Sequence, residues 1–206
     1  MRPFRRVAML GIGLINGSLA AVLRHHGAAG EIVAFARGEH TRARALELGL
    51  CDRAEADPAA AVAGADLVVL GVPPAAVGEV AAAMRPGLPA DALVTDVSSI
   101  KAQIVRDVVP HLPTPSLFVP GHPVAGTEHS GPDAAFATLF VRRRCILTPI
   151  EDTDPLTGFP DALADQMKRP RRRTWEGIMA EAPLRSLLFH VRPKPAVLDA
   201  LAAGGA

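Results

Sequence analysis

Four short stretches of this chain combine residue types and spacing that can do chemistry. Gly11 and Gly13 stand two apart, a pattern that turns a chain tightly and lets bare backbone approach the phosphates of a ligand. His122, within Gly121-His122-Pro123, offers an imidazole, the side chain suited to taking a proton near neutral pH. Ser98, Ser99 and Lys101 bring two hydroxyls and an ammonium close together. Arg37 offers a cation that can form a charge-assisted bond to a phosphate.

These residues act together only if the elements between them deliver them to one place. The first stretch, "RRVAMLGIGLINGSLAAVLRHHG", has two readings. Its uncharged run, Val7 to Leu23, has the ingredients of an export signal. It is short for a spanning helix of about 20 residues, and Gly11, Gly13, Asn16, Gly17 and Ser18 interrupt it. The spacing favours a strand at Arg6 to Leu10, a glycine turn, a helix ending at Gly27, and a second strand at "EIVAFAR". Strand, glycine turn, helix and strand within about 30 residues is the context of a dinucleotide fingerprint. Gly11 serves the turn, Gly13 the approach to the pyrophosphate, and Leu14 and Ile15 open the helix whose N-terminus faces it. The third glycine of that fingerprint is Asn16 here, which is expected to loosen the turn.

Helices at "HTRARALELG", "AAVGEVAAAMRPGL" and "SIKAQIVRDVVPHL" alternate with strands at "ADLVVLGVP", "ALVTDV", "LFVPGHPV" and "RCILTP". The strands are continuous apolar runs, as in a parallel sheet covered on both faces. The expected fold is α/β: a doubly wound, mainly parallel Rossmann-type sheet with helices on both faces. In such a sheet ligands lie beyond the carboxyl ends of the strands. Gly11, Gly13, Arg37, Val72, Pro73, Ser98, Ser99 and His122 all fall there. An Asp or Glu after the second strand would bond the ribose 2′-hydroxyl of NAD. Ala36 and Arg37 stand there instead, which leans the expectation to NADP, with Glu39 two residues later keeping NAD open.

The composition excludes some classes. Of 206 residues, 49% are hydrophobic and the net charge is +1, so no overall field favours nucleic acid or an anionic membrane. Cys51 and Cys145 form no pairing framework or metal-ligand spacing. A reducing compartment, the cytoplasm, with buried thiols and no metal site is expected. After about Pro155 the character changes. The basic block "KRPRRR" and a small-residue end read as an irregular or partly helical tail rather than a nucleic-acid patch.

The string "GHPVAGTEHSGPDAAFATLF", with "GIGLINGSLA", "VTDVSSIKAQI" and "LTPIEDTDP" in that chain order, resembles the prephenate and arogenate (cyclohexadienyl) dehydrogenases of tyrosine biosynthesis. The likeness runs from about residue 6 to 155. Val124 replaces the methionine of the family's G-H-P-M-A-G-T signature. What the resemblance implies is an NAD(P)-dependent oxidative decarboxylation of prephenate or arogenate. His122 matches the residue that takes the proton of the ring hydroxyl, and Ser99 the one that orients it. Lys101, Gly126 and Thr127 then line the substrate side with Ser99 and His122. Ser98 is expected to cap the following helix, Asp96 to bond backbone amides only, and His129 to be the other histidine of the loop. Family members are homodimers that continue into an all-helical dimerisation domain. Residues 156–206 match neither the histidine-containing motif nor the carboxylate-binding arginine that the resemblance implies for that domain, so a nucleotide-binding domain at 1–155 and a divergent, truncated or frame-shifted tail at 156–206 are expected.

Overall fold

The computed structural model describes residues 4–148, residue 150 and residues 173–174. Strand β1 (Phe4–Leu10) stops at Gly11, and helix α1 (Leu14–His25) starts from Gly13. The uncharged opening run is therefore split between a strand and a helix, as its spacing favours. No helix among the described residues is long and apolar enough to cross a membrane. After β2 (Ala29–Phe35) and α2 (Glu39–Glu47) come β3 (Arg53–Glu55) and α3 (Pro58–Val62). Asp57 caps α3 by accepting the Ala59 N–H at 3.1 Å, with Pro58 at the first helical position. β4 (Leu67–Leu70), α4 (Val77–Met84), β5 (Leu93–Asp96), α5 (Lys101–Val108), β6 (Phe118–Pro123) and β7 (Arg144–Leu147) follow. Arg173–Thr174 adds a last strand, β8, and the rest of the expected tail lies outside the described residues.

The sheet order is β3-β2-β1-β4-β5-β6-β7-β8. Strands β1 to β6 run parallel, while β7 and β8 are antiparallel additions at one side. The order 3-2-1-4-5-6 is the doubly wound one, with its reversal between β1 and β4. Alternate residues of β1 feed two cores. Val7 and Met9 pack with Leu19, Ala20 and Leu23 of α1, while Ala8 and Leu10 pack with Val62, Val80, Met84 and Ile104 of α3, α4 and α5. Each large apolar side chain buried this way contributes about 1.5–3 kcal/mol, so the central strands are fixed from both faces and their carboxyl ends are held rigidly.

Candidate functional site

The carboxyl ends of β2, β1, β4, β5 and β6 form one row along the sheet edge. They carry Arg37, Gly11, Val72 with Pro73, Ser98 with Ser99, and the Gly121–His122 segment. Three strand spacings, roughly 14 Å, separate β1 from β6, so a ligand anchored at the Gly11 turn and lying along the row reaches His122.

Gly11 adopts φ +92°. A Cβ there would lie 2.8 Å from the Gly71 carbonyl group and 2.9 Å from the Val72 nitrogen, all backbone. Only glycine lets the ends of β1 and β4 close this tightly. Gly13 precedes α1 with no side-chain cap, no acidic residue in the first turn, and nothing within 4 Å of where its Cβ would be. Open space above uncapped helical N–H groups suits an anion such as a pyrophosphate. Leu14 is buried in the core and Ile15 packs against it, so they hold the helix in place with their side chains.

Asn16 does the opposite of what its sequence position suggests. Its Nδ2 donates to the Gly11 carbonyl at 2.8 Å and the Val69 carbonyl at 3.1 Å, and the side chain is buried. The carboxamide fills the gap that Gly71, lacking a side chain, leaves between the two strands, and it ties the turn to β4 rather than loosening it. Its Oδ1 is buried without a hydrogen-bond partner among the described residues.

At the end of β2, Arg37 is exposed and faces Glu79 of α4 at 3.9 Å. Arg42, not singled out from the sequence, donates to the Ala36 carbonyl and the Arg37 carbonyl, both at 2.7 Å. It braces the backbone that carries Arg37. Glu39 sits in the first turn of α2, turned to solvent.

His122 lies inside β6 rather than past its end. The strand changes partner at this point: Asp96 of β5 pairs with Pro120, and from Gly121 onward the partner is β7, with His122 opposite Ile146. The histidine is half-buried, and Ser99 is exposed at the end of β5. Ser98 does not cap α5. Its Oγ accepts the Ile100 N–H at 3.3 Å in a turn ahead of the helix, which begins one residue later than that turn at Lys101. Asp96 holds more than amides: it accepts from the Ser98 and Gly121 backbone N–H groups and from the Lys101 ammonium. Lys101 is turned inward to Asp96 and to the Gly121 carbonyl, so its ammonium is engaged with the protein where a substrate contact was expected. Gly126 and Thr127 are exposed, and Thr127 Oγ1 accepts the His129 N–H at 3.2 Å. The His129 ring is 73% exposed and faces Glu128, well out in solvent.

The segment between β6 and β7 folds back over α1. The Phe136 N–H donates to Ser18 Oγ at 3.0 Å, Arg44 of α2 holds Asp133 at 2.7 Å, and Leu139 and Phe140 enter the core beside α1. A Cβ on Gly17 would meet the Ala135 Cβ at 2.7 Å. Gly17 and Ser18 thus dock this segment, a role the sequence did not suggest.

Burial pushes the Cys145 thiol up to about 12, against the His122 backbone N–H and the Lys101 charge, and burial likewise pushes Cys51 up to about 11. Fewer thiolates mean slower alkylation. At pH 8 both should react with iodoacetamide on the order of 10² or more slower than a free thiol, read by mass spectrometry. The sign for stability follows: the folded chain keeps these protons after the unfolded chain loses them. Their contribution is complete below the ordinary thiol range and is lost as pH rises through about 11 to 12.

Residues 19–158 match the family model described as prephenate dehydrogenase, nucleotide-binding domain. The chain belongs to the prephenate dehydrogenase family. It is 41% identical over 149 residues to a cyclohexadienyl dehydrogenase of Zymomonas mobilis, covering 72% of this chain and 50% of that protein. Among solved structures, it resembles the prephenate dehydrogenase of A. aeolicus in complex with hydroxyphenyl propionate and NAD+. That likeness has a TM-score of 0.67 at 31% identity and covers 80% of this chain and 55% of that one. The arogenate dehydrogenase of Synechocystis gives a TM-score of 0.66 at 32% identity, covering 79% and 55%. The chain thus spans about half the length of the relatives it matches.

Proposed function

We propose that this chain is the nucleotide-binding part of an NAD(P)-dependent dehydrogenase that converts prephenate or arogenate to 4-hydroxyphenylpyruvate or tyrosine. The observation that carries the reading is the row at the sheet edge, a phosphate cradle at Gly11 and Gly13 in line with a half-buried imidazole at His122. When bound, NAD(P) supplies the acceptor for the substrate's hydride. Gly11, Gly13 and the α1 N-terminus hold its pyrophosphate, with the Val72–Pro73 backbone beside them. His122 accepts the proton of the ring hydroxyl, and Ser99 orients that hydroxyl. Loss of carbon dioxide then leaves the ring aromatic. Gly126 and Thr127 bound the substrate side, and a cytoplasmic setting fits this biosynthetic role. Incubating the chain, alone and joined to a family helical domain, with prephenate or arogenate and each cofactor tests the reading through absorbance of reduced nicotinamide. Cofactor binding without turnover in either form would favour a module that only holds NAD(P).

The cofactor preference rests on Arg37. Its ion pair with Glu79 is long and exposed on both sides, and such pairs contribute only about 0–1 kcal/mol. A 2′-phosphate therefore displaces Glu79 easily and gains a charge-assisted bond of about 1.5–3 kcal/mol. The chain should bind NADP at least as tightly as NAD, and Arg37→Asp should swing the ratio of their dissociation constants toward NAD by roughly 10- to 100-fold. Calorimetric titration with NAD favoured and the substitution neutral would show that Arg37 takes no part.

A further inference from the structure

We propose that Asp96 and Lys101 are positioning residues for His122, together holding both backbone groups of Gly121 and so fixing where the next residue presents its imidazole. The N–H and C=O of Gly121 leave β6 on the side facing β5, yet the β5 ladder has ended at Asp96 opposite Pro120. Backbone groups of a half-finished ladder need partners. Asp96 Oδ1 accepts the Gly121 N–H at 3.1 Å, and Lys101 Nζ donates to the Gly121 carbonyl at 2.5 Å. The two side chains are themselves joined, Nζ to Oδ2, at 2.5 Å, and the Ser98 N–H adds a further bond to that oxygen. The carbonyl that Lys101 holds belongs to the Gly121–His122 peptide itself. Gly121 permits the approach: a Cβ there would stand 2.8 Å from the Asp96 carbonyl oxygen and 3.2 Å from Thr95 Oγ1.

Burial pushes the Asp96 carboxyl up and the Lys101 ammonium down, each opposed by the other's charge. The pair is therefore kept against a desolvation penalty, and well-packed apolar residues of similar volume often stabilise a fold equally well. What apolar residues cannot do is bond the two groups of Gly121. That is the specific service of this pair, and it lies one residue from the imidazole.

The consequence for turnover rests on His122 being the proton acceptor, but orientation can be measured without turnover. Residual dipolar couplings of backbone amides in the ¹⁵N-labelled full chain report how the Gly121 and His122 peptides are oriented. Lys101→Met, which frees the Gly121 carbonyl, should shift the couplings of both while those of β1 and β4 stay unchanged. Lys101→Arg, which keeps the donors, should restore most of the native couplings. Asp66→Asn removes a carboxylate that accepts the Arg5 and Arg6 N–H groups at the opposite end of β1; it serves as a control that lowers stability without moving these couplings. If Lys101→Met does not fold, the double variant Asp96→Asn with Lys101→Met leaves no lone buried charge and is read the same way. Native couplings at Gly121 and His122 in either folded variant overturn the proposal, and so does failure of both to fold, which makes the pair structural only. Shifted couplings in Lys101→Met, together with normal turnover of a complete enzyme carrying His122→Asn, would sink the catalytic reading and leave the positioning intact.

Discussion

His122→Asn, in a complete enzyme that carries this domain, is expected to keep NAD(P) affinity and lower turnover by about 10²- to 10⁴-fold, the usual worth of one positioned base. Asparagine retains a polar side chain of similar reach but cannot take up a proton. Affinity survives because the cradle at Gly11 and Gly13 lies three strands away along the row and shares no bond with His122. Ser99→Ala should have the smaller effect, since Ser99 orients the hydroxyl without taking its proton. Steady-state rates with a parallel cofactor titration decide the matter. Normal turnover with Asn at position 122 would move the base elsewhere, and His129, in the segment that follows β6, would be tested next.

Gly11→Ala should abolish measurable cofactor binding and lower Tm. The left-handed backbone at φ +92° costs an L side chain about 1–2 kcal/mol. The new methyl would also sit 2.8 Å from the Gly71 backbone, and overpacking of this sort adds about 1–3 kcal/mol. No flexible side chain is there to yield, so β1 and β4 must separate at the turn proposed to cradle the pyrophosphate. For a domain of this size the sum corresponds to a Tm lowered by roughly 5–15 °C. Gly13→Ala, facing open space, should leave Tm nearly unchanged while weakening the cofactor. Equal losses of stability in the two variants would count against this account of the turn.

The framework was legible because apolar runs such as "ADLVVLGVP" and the glycine turn each carry their own local signal. Helix α3 carries one too, Asp57 ahead of Pro58, but the stretch is short and alanine-rich and shows little apolar period. Helix ends were less legible. "SIKAQIVRDVVPHL" begins at Lys101 and tightens into a 3₁₀ turn at Val109–His111, because Ser98 spends its hydroxyl on a turn before the helix. Of the site, Gly11 and Arg37 could be placed by their strands alone, whereas His122, expected past its strand, lies within β6 because that strand continues against β7. The inward turn of Lys101, the role of Asp96 and the bonds of Asn16 could not, since each depends on contacts between strands distant in sequence. A polar residue beside a glycine motif reads as a defect until the gap it fills is visible, and here Gly71, far along the chain, makes that gap for Asn16.

The bond from the Phe136 N–H to Ser18 Oγ joins residues 118 apart in sequence. Contacts of such separation form only after the intervening chain has found its place, because ordering that chain is unrewarded until then. During synthesis β1, α1, β2 and β4, which together shape the Gly11 turn, all leave the ribosome well before residue 136 does. Gly17 and Ser18 wait as an uncovered notch on α1. The two halves of the site therefore mature in sequence, the cradle first and the segment that follows His122 last. A nascent chain stalled ahead of β7 would hold the first half without the second.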